Sequence, residues 1–232
     1  DRVYEIATYF RAEEHDTIWH LNENTAFDLE MAFIKDENDV INILEGIVSS
    51  MIASVSKTCK SELDMLEKKI SAPKKILRLT YDECIKLLQE EMKIEWGDDF
   101  STEQEKKLGE IMRKRSNELF FITKYPLKIK PFYTMPSPES SKISNSFDLV
   151  FKGREIASGS QRIHNYDLLV KRLKEKNLSP ENFKSYLDAF AYGMPPHGGF
   201  GLGIERLLMQ LLDLPNIREA VLFPRDKKRL HP

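Results

Sequence analysis

The segment "FDLEMAF", Phe27 to Phe33, constrains the fold more than any other stretch of the chain. Its alternation turns Phe27, Leu29, Met31 and Phe33 to one side and Asp28 and Glu30 to the other, the period of a β-strand with one buried face. Upstream, "RVYEIATYF" is apolar enough for a strand with little face left for water, and the two runs flank a charged connection, "FRAEEHDTIWHLNE", Phe10 to Glu23. Together they predict an antiparallel hairpin. Carboxylates on the second face of an interior strand need cations or a metal beside them, so the hairpin reads as part of a site. The plainer alternative is that the charged run is only a solvated tip.

The rest of the chain alternates helices and strands. "NDVINILEGIVSSMIASVSKT" carries Val40, Ile43, Leu44, Ile47, Val48, Met51 and Ile52 at helical spacing, one face for a sheet. Capping boxes at Thr80 with Glu83 and at Thr102 with Glu105 predict two further helices, with "WGDD" (Trp96 to Asp99) as a turn between them. A short strand and a polar loop follow over 119–146. "FDLVFKGREIASGSQRI" then reads as strand, turn at Gly153, strand. "NYDLLVKRLKEKNL" and "SPENFKSYLDAFAYG" read as helices, the second with Ser179 as cap, Pro180 at its first position and Gly193 as stop. The expected class is α+β, an antiparallel sheet flanked by helices, with neither internal repeats nor a low-complexity linker.

In the 232 residues, 35 Lys plus Arg stand against 37 Asp plus Glu, a formal net charge of -2. No global basic field exists, so any RNA contact must be local. Cys59 and Cys84 are unclustered, which fits a reducing compartment and gives neither a disulfide framework nor a zinc site. No apolar run reaches 18 residues and the N-terminus is not signal-like, so the expectation is a cytoplasmic protein with no membrane partner. The chain lacks an initiator Met and starts in strand-like sequence, so an upstream part is expected to be missing.

"HGGFGLGIERLLMQLLDLP" is a glycine-rich strand running into an apolar helix, with Leu207, Leu208, Leu211 and Leu212 as the expected buried stripe. Gly199, Gly201 and Gly203 are spaced GxGxG with no Lys-Ser/Thr after them, neither a dinucleotide fingerprint nor a phosphate loop. Glycines in a strand let a flat ligand lie against the backbone, and Arg206 in the first helical turn can reach over it. The plain alternative is a packed glycine strand and a surface arginine.

The order of "FRAE" with its charged loop, then "GLGIER" opening an apolar helix, resembles motifs 2 and 3 of class II aminoacyl-tRNA synthetases (near 5–33 and 198–213). Between them "FDLVFKGREIASGSQRIH" resembles the amino-acid pocket (147–164) of aspartyl-tRNA synthetases of the archaeal and eukaryotic type, and "MPPHGGFGLGIERL" and the terminal "LFPRDKKRLHP" resemble the same family. The resemblance covers 1–232 and implies the C-terminal portion of a catalytic domain. Motif 1, which makes the homodimer, a Gln and Lys loop that also contacts aspartate, and the anticodon-binding barrel are absent from this chain.

The implied reaction joins L-aspartate to ATP, giving aspartyl-adenylate, and passes the aspartyl group to tRNA(Asp) or, as an alternative, also to tRNA(Asn). The resemblance assigns Arg11 to the α-phosphate and the attacking carboxylate, and Arg206 to adenine and the γ-phosphate, the two catalytic positions. Ala12, Glu13, Trp19, His20, Leu21, Glu155, Gly203, Ile204 and Glu205 would complete the ATP site. Ser158 and Arg162, with Arg11, would hold aspartate, and Arg162 would pair with its side-chain carboxylate. Glu155 and Ser158, with Asp148 close by, would hold Mg2+. Strict alternation puts Ser158 and Arg162 on one strand face and Glu155 on the other, so a bulge near Ala157 or an edge position for Glu155 is required. The plain alternative for Glu155 and Asp148 is a surface hairpin.

Three departures from the family stand out: Trp19 where it usually has Arg, Asn24 and Thr25 where many relatives place an aromatic residue, and Lys130 for the arginine of "RPFYTM". Two further expectations concern the charged connection. With only Ile18, Trp19 and Leu21 as apolar anchors it should be mobile without ATP, and Arg11 should be fixed by Asp28 and Glu30. An asparaginyl enzyme, a tRNA-independent aspartate-adenylating paralogue and a non-catalytic binding module are the competing readings, and Gln161 and His164 favour aspartate.

Overall fold

The computed structural model describes residues 1–13 and 16–231. Glu14 and His15, within the charged connection, and Pro232 lie outside the described residues. Strands β1 (Arg2–Phe10) and β2 (Glu23–Ala32) form the expected antiparallel hairpin, Arg2 opposite Met31 and Phe10 opposite Glu23. The expectation that β1 has little face for water is wrong. It pairs only with β2 and forms the sheet edge, and Val3, Tyr4, Ile6 and Phe10 are all exposed because no helix covers it.

Helix α1 (Glu37–Thr58) starts at Asp36, whose side chain accepts from Asn38 N, and buries Val40, Ile41, Leu44, Val48 and Ile52. Ile43, Ile47 and Met51 flank that stripe. By length and composition α1 would also pass for a membrane span; in this structure its apolar stripe is buried against the sheet. Helix α2 (Lys60–Met65), strand β3 (Leu77–Thr80) and helix α3 (Tyr81–Gln89) follow, and Thr80 with Glu83 forms the predicted capping box. Helix α4 (Thr102–Lys114) is capped one residue earlier than expected, by Ser101 with Gln104. Ser101 is extended and Thr102 already helical, which leaves the Glu105 side chain free to bind elsewhere.

Strand β4 (Leu119–Thr123), the small hairpin β5 (Pro136–Ser137) and β6 (Ser140–Ser144), and strands β7 (Ser146–Phe151) and β8 (Arg154–Arg162) come next. Helix α5 (Tyr166–Glu175) precedes a 3-10 turn, Pro180–Phe183, and helix α6 (Lys184–Ala191). Ser179 is the N-cap of that turn and Pro180 its first residue, as expected, but the Ser179 hydroxyl makes no capping bond and binds Glu181 instead. Strand β9 (His197–Gly203) runs directly into α7 (Ile204–Leu212).

The sheet order is β1-β2-β9-β8-β7-β4-β3. Every neighbouring pair is antiparallel except β3 with β4, so the expected antiparallel sheet is mixed at its far edge. Helices α1 and α7 cover one face, packing on Leu29, Phe147, Leu149, Phe200 and Leu202. On α7 the buried residues are Glu205, Leu207, Met209, Gln210 and Leu211, with Leu208 and Leu212 only half-buried. The stripe differs from the expected one because α7 is covered on two sides: Met209 packs on Leu21 and Ile217, away from the sheet. Helices α3 and α4 pack on Phe120, Ile122 and Val150 toward the β3 edge. A trough remains across β2, β9 and β8.

Candidate active site

Registry lines up the side chains of the trough. Asp28, Gly201, Ser158 and Asp148 form one row across four strands, and Glu30, Gly199, Ser160 and Ser146 the next. The glycines have distinct reasons. A Cβ at Gly199 would lie 2.0 Å from Leu29 O and 2.4 Å from Glu30 Cδ, and one at Gly201 would lie 2.8 Å from Asp28 Oδ1. Two carboxylates thus occupy the space above β9 that side chains would fill. Only Gly203, with nothing nearer than 3.7 Å, keeps the open backbone floor expected of the whole stretch, and it lies beneath Arg206.

Strand β8 contains the irregularity that the sequence required. Leu149 pairs with Ala157 and Val150 with Glu155, so Ile156 is the extra residue and Glu155 joins Ser158, Ser160 and Arg162 in lining a cleft of about 430 Å³. Asp148 accepts from Ser158 Oγ at 2.6 Å and from Lys130 Nζ at 2.9 Å. Lys130 also lies 3.7 Å from the ring centroid of buried Tyr125. Burial, then the charge of Asp148, pushes the Glu155 carboxyl up to about 7, while Arg206 and Lys130 pull it down. Its side chain keeps 38% of its surface open to the cleft, so a bound cation would lower it again.

Arg162 stands at the other end. Its Nε and Nη2 donate to Glu30 Oε1 at 3.1 and 2.6 Å, Nη1 donates to Ser160 Oγ at 2.7 Å, and the guanidinium carbon lies 5.2 Å from the Tyr133 ring centroid. Glu30 therefore belongs to Arg162 and not, as expected, to Arg11. The Arg11 guanidinium lies over Tyr9, 5.2 Å from its centroid, and has no ion-pair partner among the described residues. Asp28 does feel Arg11 electrostatically, but burial and the charges of Glu5 and Glu30 raise its pKa.

Arg11, Glu13, Trp19, His20, Leu21, Gly203, Glu205 and Arg206 line one second cavity that adjoins the cleft through Tyr9, Arg11, Gly203 and Arg206. Ala12 and Ile204 line neither cavity, and Ile204 packs against the main core. Glu205 is buried and accepts from Thr25 N at 2.8 Å, tying α7 to β2. Arg206 Nη1 lies 3.3 Å from Glu155 O and 3.7 Å from its Oε1. Gln161 points away from the cleft and accepts from Asn145 Nδ2 at 2.8 Å.

These two cavities, cationic at both ends, are what the comparisons with known proteins address. The family described as "tRNA synthetases class II (D, K and N)" matches residues 1–227. The chain belongs to the class II tRNA synthetases. Over its whole length the synthetase chain is 52% identical to the aspartate–tRNA(Asp) ligase of Thermococcus kodakarensis and 49% identical to the aspartate–tRNA(Asp/Asn) ligase of Methanopyrus kandleri. It covers 54% and 53% of those proteins, and so spans about half the length of the curated relatives it matches. Among solved structures it superposes on an aspartyl tRNA synthetase from Entamoeba histolytica with a TM-score of 0.94 at 39% identity, covering 100% of this chain and 49% of that one. The asparaginyl-tRNA synthetase of Pyrococcus horikoshii complexed with asparaginyl-adenylate gives 0.93 at 36%, covering 100% and 54%.

In this synthetase the described part of the connection between β1 and β2 has more anchors than Ile18, Trp19 and Leu21. Residues 16–22 are tied to the segment after α7. Arg218 binds Asp16 at 3.0 Å and Thr17 O at 3.1 Å, Ile217 N donates to Ile18 O at 2.9 Å, and Asn22 N donates to Arg225 O at 2.9 Å. Leu21 is 1% exposed. Sequence reading missed this because the partners lie some two hundred positions away. It also missed Ser160 and Tyr133, although Ser160, two residues before Arg162, was legible as a same-face neighbour.

The donor set suits a divalent cation shared with a ligand rather than a closed protein site. Among the described residues no cluster of three or more His, Cys, Asp or Glu side chains could hold a metal. Glu155 and the Ser158 hydroxyl offer oxygens, whereas Asp148 is already engaged by Lys130 and Ser158. Magnesium keeps several waters and shares phosphate oxygens, so two protein oxygens are enough.

Proposed function

We propose that this chain is the C-terminal portion of the catalytic domain of a cytoplasmic aspartate–tRNA ligase. Such an enzyme activates L-aspartate with ATP and transfers it to tRNA(Asp), with tRNA(Asn) as a second acceptor to be tested. The observation that carries this is the placement of Arg162, fixed by Glu30 and Ser160, along one trough from Arg11 and Arg206. From the Gly203 row to the Gly199 row the strand rises roughly 13 Å, room for an amino acid laid end to end with a phosphate.

In this reading the substrate's side-chain carboxylate meets the Arg162 guanidinium, whose planar fork matches two oxygens. Asp28, with its raised pKa, faces the α-ammonium, whose charge compensates the Glu5, Asp28 and Glu30 cluster. The α-carboxylate is turned to Arg11. It attacks the α-phosphorus, the bond to pyrophosphate breaks, and the electron pair leaves with pyrophosphate. The attacking group is already ionised at neutral pH, so no general base is needed; alignment and charge neutralisation by Arg11 and Arg206 are. Glu155 and Ser158 would hold Mg2+, which neutralises phosphate charge. A homodimer built through segments outside this chain is part of the proposal, and the exposed apolar face of β1 supports further protein lying there.

The test is aspartate-dependent ATP–pyrophosphate exchange by the full-length protein. Exchange with aspartate and not asparagine is expected. Exchange with asparagine instead would transfer the assignment to an asparaginyl enzyme, and exchange with neither would favour a non-catalytic module.

A further inference from the structure

Arg154 opens β8 immediately after the Gly153 turn. Its guanidinium carbon lies 4.3 Å from the Trp19 ring centroid, and Nη1 donates to Glu105 Oε2 on α4 at 2.7 Å. Nε and Nη2 have no hydrogen-bond partner among the described residues. Trp19 walls the cavity that Arg11 and Arg206 also line, and Glu105 walls another cavity behind Glu155. Arg154 thus stands between the two, with 18% of its side chain open. Burial pushes the Glu105 carboxyl up, and the charges of Arg154 and then Arg206 pull it down.

A magnesium-bound triphosphate held by Arg11 and Arg206 would still present outer-phosphate oxygens that need hydrogen-bond donors. Lys130 is engaged with Asp148, and Trp19 brings no charge. Arg154 lines neither cavity itself but packs its guanidinium against the Trp19 wall. A guanidinium stacked on an indole and anchored by a carboxylate loses little further freedom on meeting a ligand, and its Nε–Nη2 edge matches two phosphate oxygens.

Resting on the synthetase reading, we propose that Arg154 binds the outer phosphates of the nucleotide, with Trp19 and Glu105 holding its guanidinium in place. Arg154 thus brings a positive charge from β8 to the face of the uncharged Trp19. A merely structural strut between the β1–β2 connection and α4 would have the same contacts and no preference for phosphate.

The test measures equilibrium binding of ATP, pyrophosphate and AMP to the full-length protein at fixed magnesium, without aspartate. Arg154→Met should weaken ATP and pyrophosphate on the order of tenfold and AMP less than about twofold, the effect of one lost charge-assisted contact. Trp19→Arg added to Arg154→Met should recover most of the loss. Equal weakening of ATP and AMP would make Arg154 a strut and overturn the proposal, as would unchanged ATP affinity, or a parent that binds ATP no better than AMP. A parent that binds ATP but exchanges no pyrophosphate with aspartate would sink the synthetase reading alone. The ATP-to-AMP contrast would still judge Arg154.

Discussion

Glu30 Oε1 accepts two hydrogen bonds from Arg162 across the backbone of Gly199, joining residues 132 positions apart. The pair fixes which edge of the guanidinium remains for a ligand. Arg162→Lys keeps the charge and loses the fork. Aspartate activation should fall by about 2 to 4 kcal/mol in kcat/KM, the worth of a buried charge-assisted contact. Pyrophosphate exchange at varied aspartate measures it, and activity within about threefold of the parent, under 1 kcal/mol, would remove Arg162 from the pocket.

Gly199→Ala and Gly203→Ala should behave oppositely. The first puts a methyl 2.0 Å from Leu29 O, which is backbone and cannot swing aside. Overpacking of this kind costs about 1 to 3 kcal/mol, and aspartate activation should fail with it because Glu30 is displaced from Arg162. At Gly203 the nearest atom is 3.7 Å away, so stability should be unchanged. Denaturation midpoints of the two variants decide it; a destabilised Gly203→Ala would mean that β9 needs its glycines for reasons other than these carboxylates.

Glu155 has a folded-state pKa of about 7 against an ordinary 4.5. The folded protein therefore binds more protons than the unfolded chain between these values, and this group's contribution to stability falls as pH rises through that window. Without magnesium, Glu155→Gln should be more stable than the parent above pH 7, and the difference should close toward pH 4.5. Melting temperatures against pH give the sign directly. Magnesium should reverse it, since the cation needs the ionised carboxylate; the magnesium requirement of exchange should fall between about pH 6 and 8 in the parent and stay high and flat in the variant.

Much of this site was legible in the sequence because it depends on local period. The alternation of "FDLEMAF" set Asp28 and Glu30 on one face, and the conflict between Ser158, Arg162 and Glu155 required the bulge that appears at Ile156. What was not legible depends on registry or on distant partners. The β1 pattern is apolar, but no sequence period says that a strand lacks a neighbour. The choice of Arg162 over Arg11 as the partner of Glu30 follows from Glu30, Gly199 and Ser160 sharing a row, a relation among three strands. The cap of α4 was displaced by one residue, and only that shift leaves Glu105 for Arg154.

The last prediction concerns the charged connection that the sequence suggested to be loose. Arg218 binds Asp16, Asp226 and Thr17 O with 23% of its side chain exposed, so it acts as a rivet between the β1–β2 connection and the segment after α7. Arg218→Ala leaves Asp16 with Lys228 only and Asp226 without its arginine. Partly buried charged contacts of this kind cost about 1 to 3 kcal/mol when one partner is removed. Because the rivet ties a segment rather than the core, the loss should appear as local opening more than as a lower melting temperature. In the nucleotide-free parent the amides of Ile217 and Asn22, bonded to Ile18 O and Arg225 O, should exchange slowly; in Arg218→Ala they should exchange faster while those of β8 and β9 do not change. Trp19 emission should shift toward that of a solvated indole in the same variant, with Trp96 replaced by Phe to isolate the signal. Fast exchange at Asn22 and Ile217 already in the parent would restore the picture of a mobile loop that closes only over its nucleotide.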